Sequence, residues 1–447
     1  MTPFEIGLWS FPVLLILIFL RMPIGLAMFL TGFVGLYLVH GSFAIALAKL
    51  KSESYSTFSS YSLAIVPMFL LMGHFATLGG MSQALFKAAE SWLGHRRGGV
   101  AMAVIGACAG FGAICGSSLA TAATMGRVAL PELRRNGYAG GFSTATLAAG
   151  GTLGILIPPS IVLVIYAILT EQNIAKLFLA AIVPGVLAAL GYMIAVSLYV
   201  RVHPEAAGLR EPVPFRERIR ALLDVWPVVL IFALVIFGIA GDWNWALEGT
   251  QALFTPNEGA AVGALGTAIV AWANGGLRLK GLIDSFTATA SSTAMIFFIV
   301  LGAAFYNGFL ARTQVPQELA NIVVEQGFAP LTVLVLILAF YMVMGCLMDS
   351  LSMILLTIPI FFPIISRLDF GLSPEETAIW FGILVLIVVE LGLITPPVGL
   401  ILFIINAMDR KTPLIETYKA VSWFIASDII RVAILVAFPA ITLFLIR

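Results

Sequence analysis

Apolar residues gather in long runs near 4–20, 22–39, 62–80, 141–168 and 175–200, then, beyond a polar segment from Arg201 to Asp224, near 226–241, 257–274, 288–309, 376–407 and 425–446. A helix needs about 20 such residues to cross a hydrocarbon core of about 30 Å, and each run meets or nearly meets that length. Two runs are interrupted in their middle. Gly151-Thr-Leu-Gly-Ile-Leu-Ile-Pro-Pro-Ser160 breaks the first, and its Leu153-to-Pro159 portion is echoed in the second as Leu391-Gly-Leu-Ile-Thr-Pro-Pro397. A proline lacks the backbone N–H and clashes with the preceding turn, so two in tandem break a helix. Backbone groups freed inside a bilayer are tolerated only against protein or a polar cavity, and two such breaks in matching halves point to the binding site of a secondary transporter.

Two further segments do not fit a simple span. Val100–Ile114 and Leu119–Leu133 flank Cys115-Gly-Ser-Ser118, and Leu331–Met344 and Leu351–Ile365 flank Gly345-Cys-Leu-Met-Asp-Ser350. Limbs of about 15 residues rise roughly 22 Å, which suits re-entrant hairpins with polar tips at mid-membrane; one long kinked span per segment is the other reading. Between the third span and the first hairpin, Met81–Leu93 places Leu85, Ala89 and Trp92 on one face. It reads as an amphipathic helix in the interface, with Val315–Val324 as its counterpart, or as an ordinary connecting helix.

Composition agrees with a polytopic membrane protein: 60% hydrophobic and 11% charged residues, with a mean hydropathy of +1.05. Met1 to Phe11 holds no Lys or Arg, unlike a signal peptide, so Leu8 to Leu20 is expected to be a retained helix. Cys108, Cys115 and Cys346 lie in apolar runs without Cys-x-x-Cys spacing, which argues for packing rather than a disulfide or metal site. The positive-inside rule puts the loop with Arg201, Arg210, Arg216, Arg218 and Arg220 in the cytoplasm and the acidic Asp242-to-Glu258 loop outside. Propagating that choice places Arg96, Arg97, Arg134, Arg135, Arg410 and Lys411 inside, and leaves Lys49, Lys51, Lys176, Arg312, Arg367 and Arg447 outside.

The expected fold is an all-α polytopic membrane protein of two inverted repeats, each with five spans, one of them broken, and one re-entrant hairpin, with both termini external. The first repeat covers 1–200, with its hairpin at 98–136 and broken helix at 141–170; the linker is 201–224; the second repeat covers 225–447, with its hairpin at 329–367 and broken helix at 376–408. Inverted repeats allow two packings of one scaffold to be mirror alternatives, the basis of alternating access.

The motifs Cys115-Gly-Ser-Ser with Ala120-Thr-Ala-Ala-Thr-Met-Gly126, Gly151-to-Ser160, Phe254-Thr-Pro-Asn-Glu258 and Leu393-Ile-Thr-Pro-Pro-Val-Gly399 together resemble the large membrane subunit of TRAP transporters, the tripartite ATP-independent periplasmic carriers. The resemblance runs from about Arg21 to the last span. It implies a sodium-coupled importer of small organic anions such as carboxylates and sugar acids, fed by a periplasmic binding protein and supported by a four-helix small membrane subunit. It also implies an ion-transporter-superfamily-like elevator fold, in which a transport domain of hairpins and broken helices slides past a static scaffold in a bacterial or archaeal inner membrane. The chain leaves no room for a fused small subunit, so that subunit is expected as a separate chain. Asn257 and Gly259 depart from the usual pattern, and the segment Gly241–Gln251, with Trp243 and Trp245, is longer than the resemblance leads one to expect.

Sodium is a hard cation that takes several oxygens, as calcium does. Gly116, Ser117, Ser118 and Thr121, with hydroxyls and freed carbonyls facing the carbonyls of Thr152, Gly154 and Pro158, form the expected first sodium site; Asp349, Ser350 and Ser352, facing Gly392, Thr395 and Pro396, form the second. The bland alternative is that these small residues bond back into their own helices or let helices pack closely. Ser118, Pro159, Ser160, Pro397 and Gly399 are expected around the substrate, with helix N-termini at the breaks turning their positive ends to an anion. Asp349 is the sharpest candidate, because a mid-membrane carboxylate is costly unless neutralised. Glu390 is either a polar contact or proton carrier, or a structural glutamate. Glu258 fits a helix cap. Arg127 and Lys176 are the nearest basic residues and would ordinarily snorkel to an interface. No catalytic residue and no cofactor beyond coupling Na⁺ is expected. The rival readings are a stand-alone sodium-coupled dicarboxylate symporter and a membrane-embedded enzyme. No catalytic motif supports the enzyme, and His40, His74, His95 and His203 are scattered.

Overall fold

The computed structural model describes residues 1–209, 211–240 and 252–447. Arg210 and Gly241–Gln251, with Asp242, Trp243 and Trp245, lie outside the described residues. Every described element is helical, and among the described residues five helices are long and apolar enough to cross a membrane unaided.

The two hairpins form because short apolar limbs end at residues that stop a helix. Gly99–Cys115 stops at Gly116, whose φ of 62° suits glycine. Ser117 then starts Ser118–Arg135 by accepting the Ala120 N–H on its hydroxyl. In the second hairpin Pro330–Gly345 runs into Cys346–Met348, and Asp349 caps Ser350–Ile365. Each hairpin packs on the broken helix of its own half through paired glycines. A Cβ added to Gly112 would fall 2.7 Å from Gly154 Cα, and one added to Gly392 would fall 2.6 Å from Gly345 Cα. Small residues of this kind are what let helices approach in lipid.

The broken helices are Gly140–Leu156 with Ile161–Thr170, bent by 43°, and Pro374–Leu393 with Leu400–Met408. Both Pro-Pro bonds, Pro158-Pro159 and Pro396-Pro397, are cis. Pro374–Leu393 is central, with 94% of its apolar window buried, whereas Leu414–Ala437 is peripheral, with 33%. Around this assembly Ile24–His40 packs on Leu279–Thr313, and Ile65–Leu78 on Pro256–Ala273.

Some elements differ from the sequence expectation. Phe43–Phe58 is a helix where no element was expected: Lys49, Lys51, Ser52, Glu53 and Ser56 hide its apolar content, but Ser42 caps it and Lys49 pairs with Glu53 one turn on at 2.6 Å. The run near 288–309 is the middle of a 35-residue helix, Leu279–Thr313, whose polar first turns read as loop. The last run is not one span: Leu414–Ala437 gives way at Phe438 to the short Pro439–Leu443. Met81–Leu93 and Val315–Glu325 are both helices. Trp92 Nε1 donates to the Arg218 carbonyl at 3.3 Å, joining the first of these to Phe215–Leu223 of the linker.

Ion pairs mark two ends of the hairpin and broken-helix assembly. Arg134 at the foot of the first hairpin pairs with the buried Asp409 just past the second broken helix. Lys176 pairs with Glu375, and Arg447 with Glu376, each at 2.7 Å, at the start of Pro374–Leu393.

Candidate functional site

The first tip is built on close backbone approach. Gly116 sits where a side chain would meet the Pro159 carbonyl at 2.8 Å, so the hairpin tip lies against the Pro-Pro corner. One turn into the second limb, Thr121 lies over Gly154, where an added Cβ would also come 2.8 Å from the Ser117 carbonyl. Thr121 Oγ1 is buried and has no hydrogen-bond partner among the described residues. An orphaned hydroxyl beside crowded carbonyls is the donor chemistry a hard cation takes.

The second tip is organised by carboxylates. Asp349 accepts the Ser352 N–H at 3.1 Å on Oδ2 and the Ser352 hydroxyl at 2.6 Å on Oδ1, so both of its oxygens are engaged in capping. Its neighbour Ser350 donates to Glu390 Oε1 at 2.5 Å, and Ser118 of the first tip reaches the same oxygen at 3.4 Å. Glu390, 1% exposed, therefore joins the two tips through one oxygen, and its Oε2 has no hydrogen-bond partner among the described residues. Between the tips is a cavity of about 130 Å³ bordered by Gly116, Ser117, Ser118, Asp349 and Ser350, with Ile161 and Val162 from the first break and Leu393 from the second broken helix. That is below the roughly 300 Å³ at which drug-sized sites begin, a scale suited to ions and small solute groups.

Not every candidate faces this cavity. The Thr152 hydroxyl is turned away: it donates to the Ala149 carbonyl at 2.7 Å and lies 3.0 Å from the Tyr192 hydroxyl. The Ser160 hydroxyl caps Ile161–Thr170 by accepting the Leu163 N–H at 3.3 Å. Ser352 serves Asp349. Thr395 donates to the Leu391 carbonyl at 2.6 Å. The second corner is more open than the first: Pro396 and Pro397 are exposed, the Pro397 carbonyl accepts from Tyr418 at 2.8 Å, and Gly399 holds a left-handed turn ahead of Leu400–Met408. Pro158 and Pro159 are buried. Lys176 is spent on Glu375, far along the chain from either break. Glu258 completes a reciprocal cap with Thr255. Among the described residues no three His, Cys, Asp or Glu side chains group as for a transition metal.

One cluster was passed over in the sequence. Asp428 and Arg431, both buried, lie 2.7 Å apart, close enough to pair though not aligned as a hydrogen bond. Tyr192 donates to Asp428 Oδ2 at 2.6 Å, and the Arg431 guanidinium stands 5.9 Å from the Tyr192 ring centroid. A chain of polar contacts thus runs from Thr152 in the first broken helix, through Tyr192, to a buried ion pair on Leu414–Ala437. The signal was present: two opposite charges three residues apart inside an apolar run are neighbours on one helix face and are expensive in a membrane unless paired.

Known proteins resemble this chain over most of its length. It is 35% identical to the C4-dicarboxylate TRAP transporter large permease protein DctM of Pseudomonas aeruginosa, over 89% of each chain. It is 30% identical to the sialic acid TRAP transporter permease protein SiaT of Haemophilus influenzae, over 96% of this chain and 66% of that one. Its fold is shared with the crystal structure of the Alcanivorax borkumensis YdaH transporter, described as having an unusual topology, at a TM-score of 0.63 and 14% identity over 89% of each chain. Residues 11–441 match the family described as the tripartite ATP-independent periplasmic transporter, DctM component, and the chain belongs to that family of large membrane permeases.

Proposed function

We propose that this permease, a transporter component rather than an enzyme, imports small organic anions by coupling them to sodium in an elevator-type exchange of access. A periplasmic binding protein delivers the solute, and a small four-helix membrane subunit, on a separate chain, steadies the scaffold. Both termini lie on the external face of the inner membrane.

One observation carries the reading: tips from two halves of the chain meet on one buried carboxylate, Glu390, beside one small cavity whose polar border is Ser117, Ser118, Asp349 and Ser350. A site assembled from both halves is remade when either half moves, which is what a carrier needs to open to one side at a time. In the first half Gly116, Ser117, Ser118 and Thr121, facing the carbonyls of Thr152, Gly154 and Pro158, hold one sodium through carbonyls and the Thr121 hydroxyl, while the Thr152 side chain packs against Tyr192. In the second half Asp349, Ser350, Ser352, Gly392, Thr395 and Pro396 hold the other, with Asp349 supplying the neutralising charge. The substrate lies between the tips near Ser118, and the helix N-termini after Ser160 and Gly399 direct partial positive charge at it. Relatives named for C4-dicarboxylates and sialic acid favour an acid as cargo.

The test is uptake of labelled succinate and sialic acid into vesicles, run with and without sodium, the binding protein and the small subunit. The expected result is uptake only when all three are present. Uptake by this chain alone would favour a self-sufficient symporter, and sodium-independent uptake would remove the coupling.

A further inference from the structure

A second cavity, of about 190 Å³, adjoins the first at the hairpin tip, with Leu70 and Ser117 bordering both. His74 and Thr77 of Ile65–Leu78 form one wall. Thr124 and Arg127 of Ser118–Arg135 form the other, and no acidic side chain borders it. Arg127 lies about 13 Å along the limb from Ser118 at 1.5 Å per residue, between the tip and the basic foot of the hairpin. Its neighbours on that limb are neutralised, Arg134 by Asp409 and Arg135 by Glu132. Arg127 has neither an ion pair nor a hydrogen bond to any described residue.

A guanidinium part-way along a membrane limb costs several kcal/mol if it meets lipid, and is retained where it faces water or a counter-ion. Arg127 is exposed and no carboxylate among the described residues borders its cavity, so the complementary group open to it is an anion from outside the chain. Resting on the transport reading above, we propose that this cavity is a second anion station, in which Arg127 receives a carboxylate of the solute as it leaves the site between the tips. The planar guanidinium suits a carboxylate in paired hydrogen bonds, and Thr124 and His74 supply further polar contacts on the two walls. Solute then passes from a site neutralised by cations to one neutralised by the protein, without an uncompensated charge between them.

The test reads the charge of the cavity directly. In the full chain purified in detergent, Cys108, Cys115 and Cys346 are replaced by alanine or serine and Ala123→Cys is added, because Ala123 borders the cavity. Labelling rates of this thiol are compared for an anionic sulfonate and a cationic ammonium methanethiosulfonate, each relative to a free thiol in solution. The expected preference for the anionic reagent is about tenfold or more. Arg127→Gln erases it, Arg127→Lys keeps most of it, and excess succinate slows labelling in the parent but not in the Gln variant. A preference unchanged by Arg127→Gln, no preference in the parent, or no protection by succinate would each overturn the station. Because labelling needs neither sodium nor partner proteins, failed coupling in the uptake assay leaves this result independent.

Discussion

Asp349 has an observed role as a helix cap and a proposed one as a counter-charge, and a single substitution can part them. As a helix cap it needs only an acceptor for the Ser352 N–H, which asparagine also offers; as a counter-charge for a cation it needs the carboxylate. Asp349→Ala is expected to lose about 1 kcal/mol of capping together with sodium-driven uptake, while still inserting. Asp349→Asn is expected to keep the thermal stability of the parent and still lose uptake. Sodium-driven uptake surviving in the Asn variant would limit Asp349 to capping. The ion pair Asp428–Arg431 calls for a double substitution. Arg431→Met leaves a buried carboxylate with Tyr192 as its remaining donor and should destabilise by roughly 3–5 kcal/mol, whereas adding Asp428→Asn should return most of that loss. Thermal unfolding of the purified variants decides it, and strictly additive losses would mean that the two side chains do not compensate each other.

The hairpins and broken helices meet through glycine, and contact of this kind has little room to adjust. A methyl on Gly112 would sit 2.7 Å from Gly154 Cα, a backbone atom that cannot turn aside, while one on Gly106 would meet the flexible end of Met193 at 3.4 Å and Ala89 Cβ at an ordinary 3.9 Å. Gly112→Ala is therefore expected to cost about 1–3 kcal/mol and most of the uptake activity, and Gly106→Ala to leave both near the parent level. Equal behaviour of the two variants would contradict a tight hairpin-to-helix seat. The same elements show which features were legible in the sequence. Interruptions were readable because Pro-Pro and Cys115-Gly-Ser-Ser118 break a pattern that apolar runs otherwise continue, and chain breaks leave marks in local composition. Phe43–Phe58 was not readable, since its lysines and glutamate suggest a loop until the Lys49–Glu53 contact places them on one helix face. Glu390 could be seen as a buried charge, but its partners could not: Ser118 and Ser350 come from different hairpins, and only folding brings them to one oxygen. The Thr152 hydroxyl was out of reach for a related reason: it donates to Ala149 in its own helix and lies against Tyr192 from another, a contact that local composition does not announce.

At the scale of the whole molecule, the two halves supply different chemistry to a common centre. The first tip offers neutral oxygens and the second offers carboxylates, and Glu390 ties them together. Two cations entering such a centre would bring two positive charges against the single charge of a monoanionic acid, so each cycle of the proposed exchange would carry one net positive charge inward. Moving one charge through 100 mV is worth about 2.3 kcal/mol, equivalent at about 1.4 kcal/mol per tenfold to a roughly fiftyfold change in the accumulation the cell can sustain. Uptake of a monoanion into vesicles should therefore rise when an inside-negative potassium diffusion potential is imposed at constant sodium and pH, and fall when the potential is reversed. A dicarboxylate carried with the same two cations would instead move no net charge, and its uptake should ignore the potential. Comparing the two solutes in one preparation separates the stoichiometry from the site: voltage-insensitive uptake of the monoanion would leave room for only one cation beside it, and would assign the second set of oxygens to holding the hairpin rather than to coupling.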